Sequence, residues 1–277
     1  MVCFVDDFRG AGKMTIQTID DTASVNLKIA HIGNVISADN LEVDNAPITG
    51  AGLNNLVNGS RARYYESSVS DHIYDFDFVN CDSFAADFVY MANFKSVFDR
   101  WDVAGGTVRV RADNSTAYSN TLTTATLRLN NLIGPRLEDV AIDVVNTTGY
   151  THWRVRMQTA AVNAAKIRLS KIFVCKLFDF GRDPEYSLPM QQGSAMKFQR
   201  HTAKKYFFTW RGVSNDKLDT FNALIMPYTI QTGLVFYDAA DAVLGGDRAI
   251  FARVIDYSHQ ALSSNSNTVT MTVEEIV

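Results

Sequence analysis

Short runs in which apolar and polar residues alternate recur along most of the chain. The clearest run, at residues 73–78, places Tyr74, Phe76 and Phe78 on one face and two aspartates on the other. This period of two is typical of β-strands that pack one face on a core. Runs with the same pattern lie at residues 88–94, 107–112, 140–144, 151–157 and 167–175, and a weaker strand is expected around Leu127 and Leu129. The turn-rich residues 46–70 are expected to be loop with one short strand at most. Strands at such short intervals, with no convincing helix between them, predict a β-sandwich or barrel.

The pattern stops at Gly181-Arg182-Asp183-Pro184, because Pro184 removes a backbone donor and restricts the residue before it. A second pattern follows, with an aromatic strand at residues 204–210, a helix at about 215–226 that Ser214 caps, and three further strands. We therefore predict an all-β protein with three parts. These are N-terminal strands in residues 1–45, a jelly-roll sandwich in 46–182, and a smaller β-domain with that one helix in 183–277.

Composition and charge narrow the classes of partner. The chain has 277 residues, of which 47% are hydrophobic, and a formal net charge of −4. Because a negative chain offers no basic field to a phosphate backbone, no nucleic-acid partner is expected. No stretch approaches the roughly 20 apolar residues that a membrane span needs, and no secretory signal opens the chain. Three widely spaced cysteines, Cys3, Cys81 and Cys175, are expected to be reduced and buried.

No group of residues in the sequence predicts catalysis. Gly10-Ala-Gly-Lys13 lacks the glycine that a phosphate loop requires at position 7, where Asp7 stands, and Met14 replaces the Ser or Thr after the lysine. Asp75 and Asp77 share a strand face, where two carboxylates could act as an acid–base pair, but they are expected to form a solvated surface. The histidines show no metal-ligand spacing. We therefore predict a protein that is not an enzyme and that has no cofactor and no metal site.

Four aromatic residues are candidates for contact with a sugar or with a neighbouring subunit. They lie in or beside predicted loops, where an exposed ring can stack on a pyranose: Tyr64, Tyr65, Trp101 and Tyr118. The alternative is that these rings pack the ends of the sandwich. The first interpretation predicts a possible glycan partner, and the second assigns the rings to the fold.

Two further features are candidates for contacts between subunits. The strand at residues 204–210 carries apolar rings on both faces, with Trp210 on one side and Phe207 on the other, and such a strand must be covered twice. The jelly roll or a neighbouring subunit can supply the second cover. Arginines also recur at i, i+2 spacing, which gives either a solvated face or a polar subunit contact: Arg61, Arg63, Arg109, Arg111, Arg154 and Arg156.

Four segments in order resemble the galactose-binding-like jelly roll, the discoidin or coagulation factor type C module. They are Asn55-Leu-Val-Asn-Gly-Ser, Ile73-Tyr-Asp-Phe-Asp-Phe, Trp153-Arg-Val-Arg-Met and Ile167-Arg-Leu-Ser-Lys-Ile-Phe-Val. The resemblance covers about half of the chain. It implies a β-sandwich and, as one hypothesis, a carbohydrate-binding module that recognises a cell-surface glycan.

The two-part layout also resembles virion proteins of tailed bacteriophages, in which such a jelly roll precedes a small β-domain that ends in a strand like Thr270-Met-Thr-Val-Glu-Glu-Ile. This resemblance implies a structural protein of the tail, baseplate or neck. Its location would be the virion, after synthesis in the host cytoplasm. Its partners would be further copies of itself, as a homo-oligomer, and other virion proteins.

Overall fold

A computed structural model gives the fold. The structure describes residues 2–4, 16–18, 25, 27–31, 41–43, 47, 50, 52–57, 63–96, 106–126, 138–187, 204–227, 233–238 and 249–276.

Antiparallel β-strands dominate the described residues, which confirms the all-β prediction. The strands are β1 (Val2–Phe4), β2 (Ile16–Thr18), β3 (Leu27–His31), β4 (Leu41–Val43), β5 (Tyr65–Glu66), β6 (Ile73–Phe78), β7 (Phe88–Ser96), β8 (Thr107–Asp113) and β9 (Asn120–Thr126). They continue with β10 (Glu138–Asp143), β11 (His152–Gln158), β12 (Ile167–Leu169), β13 (Lys171–Phe178), β14 (Glu185–Ser187), β15 (Lys205–Val213), β16 (Leu234–Asp238), β17 (Ala249–Ser263) and β18 (Ser266–Glu275). Helices are short: α1 (Asn54–Val57), a 3-10 helix (Ala161–Asn163) and α2 (Asn215–Leu224).

Two sheets form the jelly-roll sandwich. The small sheet has five strands in the order β4-β6-β11-β8-β9. It faces part of the large sheet of eleven strands, which contributes β5, β12, β7, β10 and β13. Tyr74, Phe76 and Phe78 all point into the core between the sheets, together with Trp153 and Val155 of β11. The alternation in the sequence therefore identifies the inner face of these strands correctly.

The large sheet continues beyond the sandwich into the C-terminal part of the chain. Its order runs β14-β15-β18-β17-β16-β3-β13-β7-β12-β5, so the early strand β3 lies between the last sandwich strand and β16. Ala30 of β3 pairs with Leu177 on one side and with Val235 on the other. The backbone N–H of Leu27 also donates to Asp183 Oδ1 at 2.8 Å. One hydrogen-bonded sheet thus crosses the predicted boundaries at residues 45 and 182, and the division into domains stays a prediction.

A second core lies under helix α2. The helix begins where expected, because Ser214 Oγ accepts a hydrogen bond from the N–H of Lys217. Its residue Phe221 packs 5.0 Å from Phe180, measured between ring centroids, and Phe180 packs 4.8 Å from Trp210. Helix and sheet together therefore close this core within the chain.

The C-terminal strands fold back over the outer face of the sandwich. In the strand order β3 and β13 separate β16 from β7, so about 14 Å would lie between β16 and β7 in a flat sheet. The rings of Tyr237 on β16 and Phe88 on β7 are nevertheless 4.7 Å apart. Phe251 and Phe173 meet in the same way at 5.6 Å. The sheet therefore bends, and a third buried cluster joins its two parts.

Some elements differ from the expectations. Strand β9 follows β8 directly and is paired with it along six residues, although its threonine-rich sequence gave no clear alternation. Helix α1 lies in a segment that was expected to be loop, whereas α2 is the helix that was expected in the C-terminal part. The weak strand expected around Leu127 and Leu129 lies outside the described residues.

Of the three cysteines, Cys3 lies on β1, and Cys81 and Cys175 are free and buried, as expected. Burial raises the pKa of the Cys81 thiol to about 11 and raises that of Cys175 well above its ordinary value. Both thiols are therefore protonated at neutral pH and act as small apolar side chains.

Candidate functional site

Two aspartates and two arginines form an ion-pair cluster on the outer face of the small sheet. Arg156 donates from Nε and Nη2 to the two oxygens of Asp75 at 2.7 and 2.5 Å, and Arg154 donates likewise to Asp77 at 2.7 and 2.6 Å. A further contact of 3.2 Å joins Arg154 Nη1 to Asp75. The hydrogen bonds to Asp77 raise the pKa of Arg154.

The expectation that Asp75 and Asp77 form a solvated surface is wrong, because both carboxylates are buried. Their exposed fractions are only 2% and 7%. The alternation correctly placed both carboxylates outside the core, but it carried no information on the arginines of β11 that pair with them across the sheet. Buried charges persist only when they are paired in this way. The cluster therefore holds β6 and β11 together and leaves these carboxylates no free role as an acid–base pair.

Arg109 and Arg111 lie beside this cluster on the next strand, β8. They stand directly opposite Arg156 and Arg154. Arg111 Nε donates to Thr121 Oγ1 at 3.3 Å. Both arginines are partly exposed, and within the described part of the chain neither forms an ion pair. We call Arg109 and Arg111 the arginine pair.

Tyr118 lies over the cluster, where a tight turn between β8 and β9 places it. Asp113 fixes this turn by accepting hydrogen bonds from Ser119 Oγ at 2.5 Å, from Ser119 N at 3.0 Å and from Asn114 N at 2.7 Å. The ring of Tyr118 lies 4.2 Å from the guanidinium carbon of Arg154. Its φ of 47° is left-handed, which is uncommon for a bulky residue and strains the turn. The ring is 1% exposed, so it packs on this chain and offers no face to a sugar.

A second group of side chains lies at the edge of the large sheet, on β5 and β12. Arg168 Nε and Nη2 donate to Glu66 Oε2 at 2.8 and 2.5 Å. The same guanidinium lies over the ring of Tyr64, with its carbon 4.2 Å from the ring centroid. Tyr64 itself is partly exposed. We call Tyr64, Glu66 and Arg168 the Tyr64 corner.

The elements around the Tyr64 corner fix its backbone. Asn55 Nδ2 donates to the carbonyl oxygen of Tyr64 at 2.8 Å, and the buried Lys171 donates from Nζ to the carbonyl oxygen of Asn55 at 2.5 Å. The next residue, Tyr65, is fully buried against Phe76 with its ring edge-on at 5.6 Å. Burial raises the pKa of Tyr65. Of these two tyrosines, Tyr64 alone offers an exposed ring surface.

The remaining candidates from the sequence divide between core, surface and undescribed chain. Trp101 lies outside the described residues. Trp210 is 1% exposed and packs in the core under α2, so the structure places it in the fold of this chain and not at a docking surface. Phe207, on the opposite face of β15, is 47% exposed.

Sequence reasoning missed Glu66, Arg168 and Lys171. Arg168 and Glu66 are separated by 102 positions, so only the pairing of β12 with β5 reveals their contact. Lys171 looked like an ordinary polar residue of a strand, yet its side chain is buried. Asn55 could have been identified from the sequence, because it is the first residue of the first of the four segments that resemble the galactose-binding-like fold.

The described residues contain no group of three or more His, Cys, Asp or Glu side chains that could hold a metal ion. Among these same residues, no helix combines the length and the apolar composition that crossing a bilayer requires.

No protein-family model and no curated protein matches the sequence. Solved structures to which part of this chain is similar include carbohydrate-binding modules. A CBM32 module from Clostridium perfringens, in complex with GalNAc-β-1,3-galactose, is 7% identical, with a TM-score of 0.37 over 52% of this chain and 99% of that one. A fucose binding module from Streptococcus pneumoniae is 15% identical, with a TM-score of 0.35 over 49% of this chain and 89% of that one.

A GH29 fucosidase from Ruminococcus gnavus, in complex with fucose, is 11% identical, with a TM-score of 0.37 over 51% of this chain. The match spans only 26% of the fucosidase.

Proposed function

We propose that this chain is a carbohydrate-binding protein without catalytic activity, and that it recognises a cell-surface glycan at the Tyr64 corner. The observation that carries this proposal is the arrangement of the corner itself. A partly exposed tyrosine ring is held by the guanidinium of Arg168 at 4.2 Å, and Glu66 in turn holds Arg168.

The chemistry of the corner suits a sugar. A pyranose presents C–H groups on its faces and hydroxyls around its rim, so it needs an apolar plate beside polar groups in fixed positions. Tyrosine supplies a ring with a polar end, the guanidinium supplies donors and the carboxylate supplies acceptors. The corner brings all three types of group together.

The side chains of the Tyr64 corner are ordered before a ligand binds, which favours affinity for a glycan. The two hydrogen bonds to Glu66 already restrict Arg168, and the buried Tyr65 anchors the strand beside Tyr64. Fewer side chains then lose rotamer freedom when a ligand arrives, which reduces the entropic cost of binding. The corner therefore has the rigidity that a shallow binding site needs.

A glycan array probed with the full chain tests the proposal. We expect retention on a limited set of glycans, and loss of that retention in Tyr64→Ala. Leu262→Ala is the control, because it removes an exposed apolar side chain elsewhere. The absence of any retained glycan, or equal retention by Tyr64→Ala, would overturn the proposal.

A role in assembly is the second candidate, and the exposed ring of Phe207 supports it. Its exposed fraction of 47% leaves a large apolar surface on a strand that lies inside the sheet, between β14 and β18. A second subunit would bury this ring. A structural role in the tail, baseplate or neck of a bacteriophage particle remains a prediction within this candidate.

A further inference from the structure

On the outer face of the small sheet, the arginine pair carries the positive charge that carboxylates compensate least. Arg109 and Arg111 are two residues apart on β8, so both side chains leave the same face about 7 Å apart. Across β8 they oppose Arg156 and Arg154 on one side and Thr124 and Thr121 on the other. Four arginines therefore occupy adjacent positions of one face, and the two threonines beside them are exposed.

The charges in this group are not equally compensated. Asp77 and Asp75 each hold one of the β11 arginines through two hydrogen bonds. Within the described part of the chain, no carboxylate contacts Arg109 or Arg111. Like charges directly opposite one another destabilise a sheet. The arrangement thus carries a cost that an external anion would relieve.

The nearest acid on the same strand is engaged elsewhere. Asp113 follows Arg111 by two positions and shares its face, but its oxygens accept hydrogen bonds from Ser119 and Asn114 in the turn. The turn therefore keeps this carboxylate away from the arginine pair. Arg111 is instead oriented by Thr121 Oγ1, at 3.3 Å from its Nε.

We propose that the arginine pair is a second binding site, and that it takes the carboxylate or sulfate groups of an acidic polysaccharide. The planar fork of a guanidinium matches such groups with two parallel hydrogen bonds. The exposed threonines offer hydroxyls to the neutral part of the same ligand. The choice of a polysaccharide rests on the proposed function, whereas the choice of an anion rests on the arginine pair alone.

The charge of the whole chain disfavours the other polyanions. With a net charge of −4, the protein repels a densely charged nucleic acid or an anionic membrane at long range. Two arginines also provide few of the phosphate contacts from which such complexes draw their affinity. A polysaccharide with sparse acidic groups faces a weaker form of this repulsion.

Affinity electrophoresis of the full chain in gels that contain hyaluronan, lightly sulfated dextran or neutral dextran tests the second site, because the first two polymers carry sparse carboxylates and sparse sulfates. We expect retardation by at least one acidic polymer and none by neutral dextran. In the double variant Arg109→Gln/Arg111→Gln, the retardation should weaken at least tenfold in apparent affinity. Arg211→Gln, which alters an exposed arginine elsewhere, is the matched control and should leave the retardation unchanged.

Each contrary result has a distinct meaning. If no acidic polymer retards the chain, or if the double variant is retarded like the original, the second site is refuted. The same holds if Arg168→Gln abolishes the retardation, since the Tyr64 corner would then bind the polymer. If duplex DNA or anionic vesicles bind in place of the polysaccharides, the assigned ligand class is wrong. The double variant should keep any neutral-glycan binding of the Tyr64 corner, which separates the two proposals.

Discussion

The hydroxyl of Tyr237 donates a hydrogen bond of 2.6 Å to Oδ2 of Asp143. This bond joins β16 of the C-terminal part to β10 of the sandwich. It lies beside the contact between the rings of Tyr237 and Phe88, where the large sheet bends back over the jelly roll. The C-terminal strands covered by the jelly roll are therefore β16 and β17, and not the two-faced strand β15.

Removing this hydrogen bond should destabilise the packing of the C-terminal strands on the sandwich. We expect Tyr237→Phe to lower the free energy of unfolding by about 1 kcal/mol, because one hydrogen bond is lost while the ring stays in place. A double-mutant cycle with Asp143→Ala, measured by urea unfolding, should give a coupling of similar size. Strictly additive effects would show that the two side chains do not interact in solution.

The buried carboxylate of Asp75 should matter far more than an exposed one. Asp75→Ala removes the carboxylate that accepts two hydrogen bonds from Arg156 and one contact from Arg154, beside two further arginines. We expect a loss of about 3 kcal/mol in unfolding free energy, as for other broken buried pairs. The exposed Asp82, changed to Ala, is the control and should cost less than about 0.5 kcal/mol. Equal effects of the two variants would refute a structural role for the ion-pair cluster.

The turn that carries Tyr118 should persist to low pH. Its hydrogen bonds, first that from the Ser119 side chain, lower the pKa of Asp113 from 3.8 to about 2. A carboxyl with a lowered folded pKa stabilises the fold above its unfolded pKa, and this contribution disappears as the pH falls through the folded value. We expect the amide signals of Asn114 and Ser119 to stay unchanged in NMR spectra down to about pH 3 and to shift near pH 2. In Asp113→Ala they should already be shifted at pH 7, and unshifted signals there would contradict this role.

The alternation along single strands predicted which side chains enter the core. It did not predict which residues pack against the side chains on the opposite face. Tyr74, Phe76 and Phe78 are buried as expected, because the alternation along a strand depends only on the sequence of that strand. The burial of Asp75 depends instead on β11, which lies about 80 positions later in the chain.

The same limit applies to the candidate sites. Trp210 and Tyr118 were singled out as aromatic residues near loops or on a two-faced strand, yet both are buried by distant parts of the chain. Phe180 and α2 cover Trp210, and the strained turn after β8 brings Tyr118 over Arg154. Tyr64 could be named from its position, but its partner Arg168 could not. The local pattern therefore predicted the fold class. The candidate site depends instead on the pairing of strands that are far apart in the sequence, which a local pattern does not show.

Phe207 tests the second candidate function. If two copies of the chain meet on this face of β15, Phe207→Asp should dissociate them, because a charge would enter the buried interface. Sedimentation velocity should then show a smaller mass for the variant than for the unaltered chain. Leu224→Asp alters another exposed apolar residue, on α2, and should leave the mass unchanged. A monomer for the unaltered chain would remove this support for an assembly role.

The most direct test of glycan recognition at the Tyr64 corner is isothermal titration of the full chain with the glycan that the array selects. Arg168→Ala should weaken binding about tenfold, which corresponds to about 1.4 kcal/mol. Arg211→Ala should bind like the unaltered chain, because it removes an arginine from a different exposed ion pair. Saturable binding that is lowered in the first variant and kept in the second is the predicted result. No saturable binding, or equal affinity in all three proteins, would contradict the proposed function.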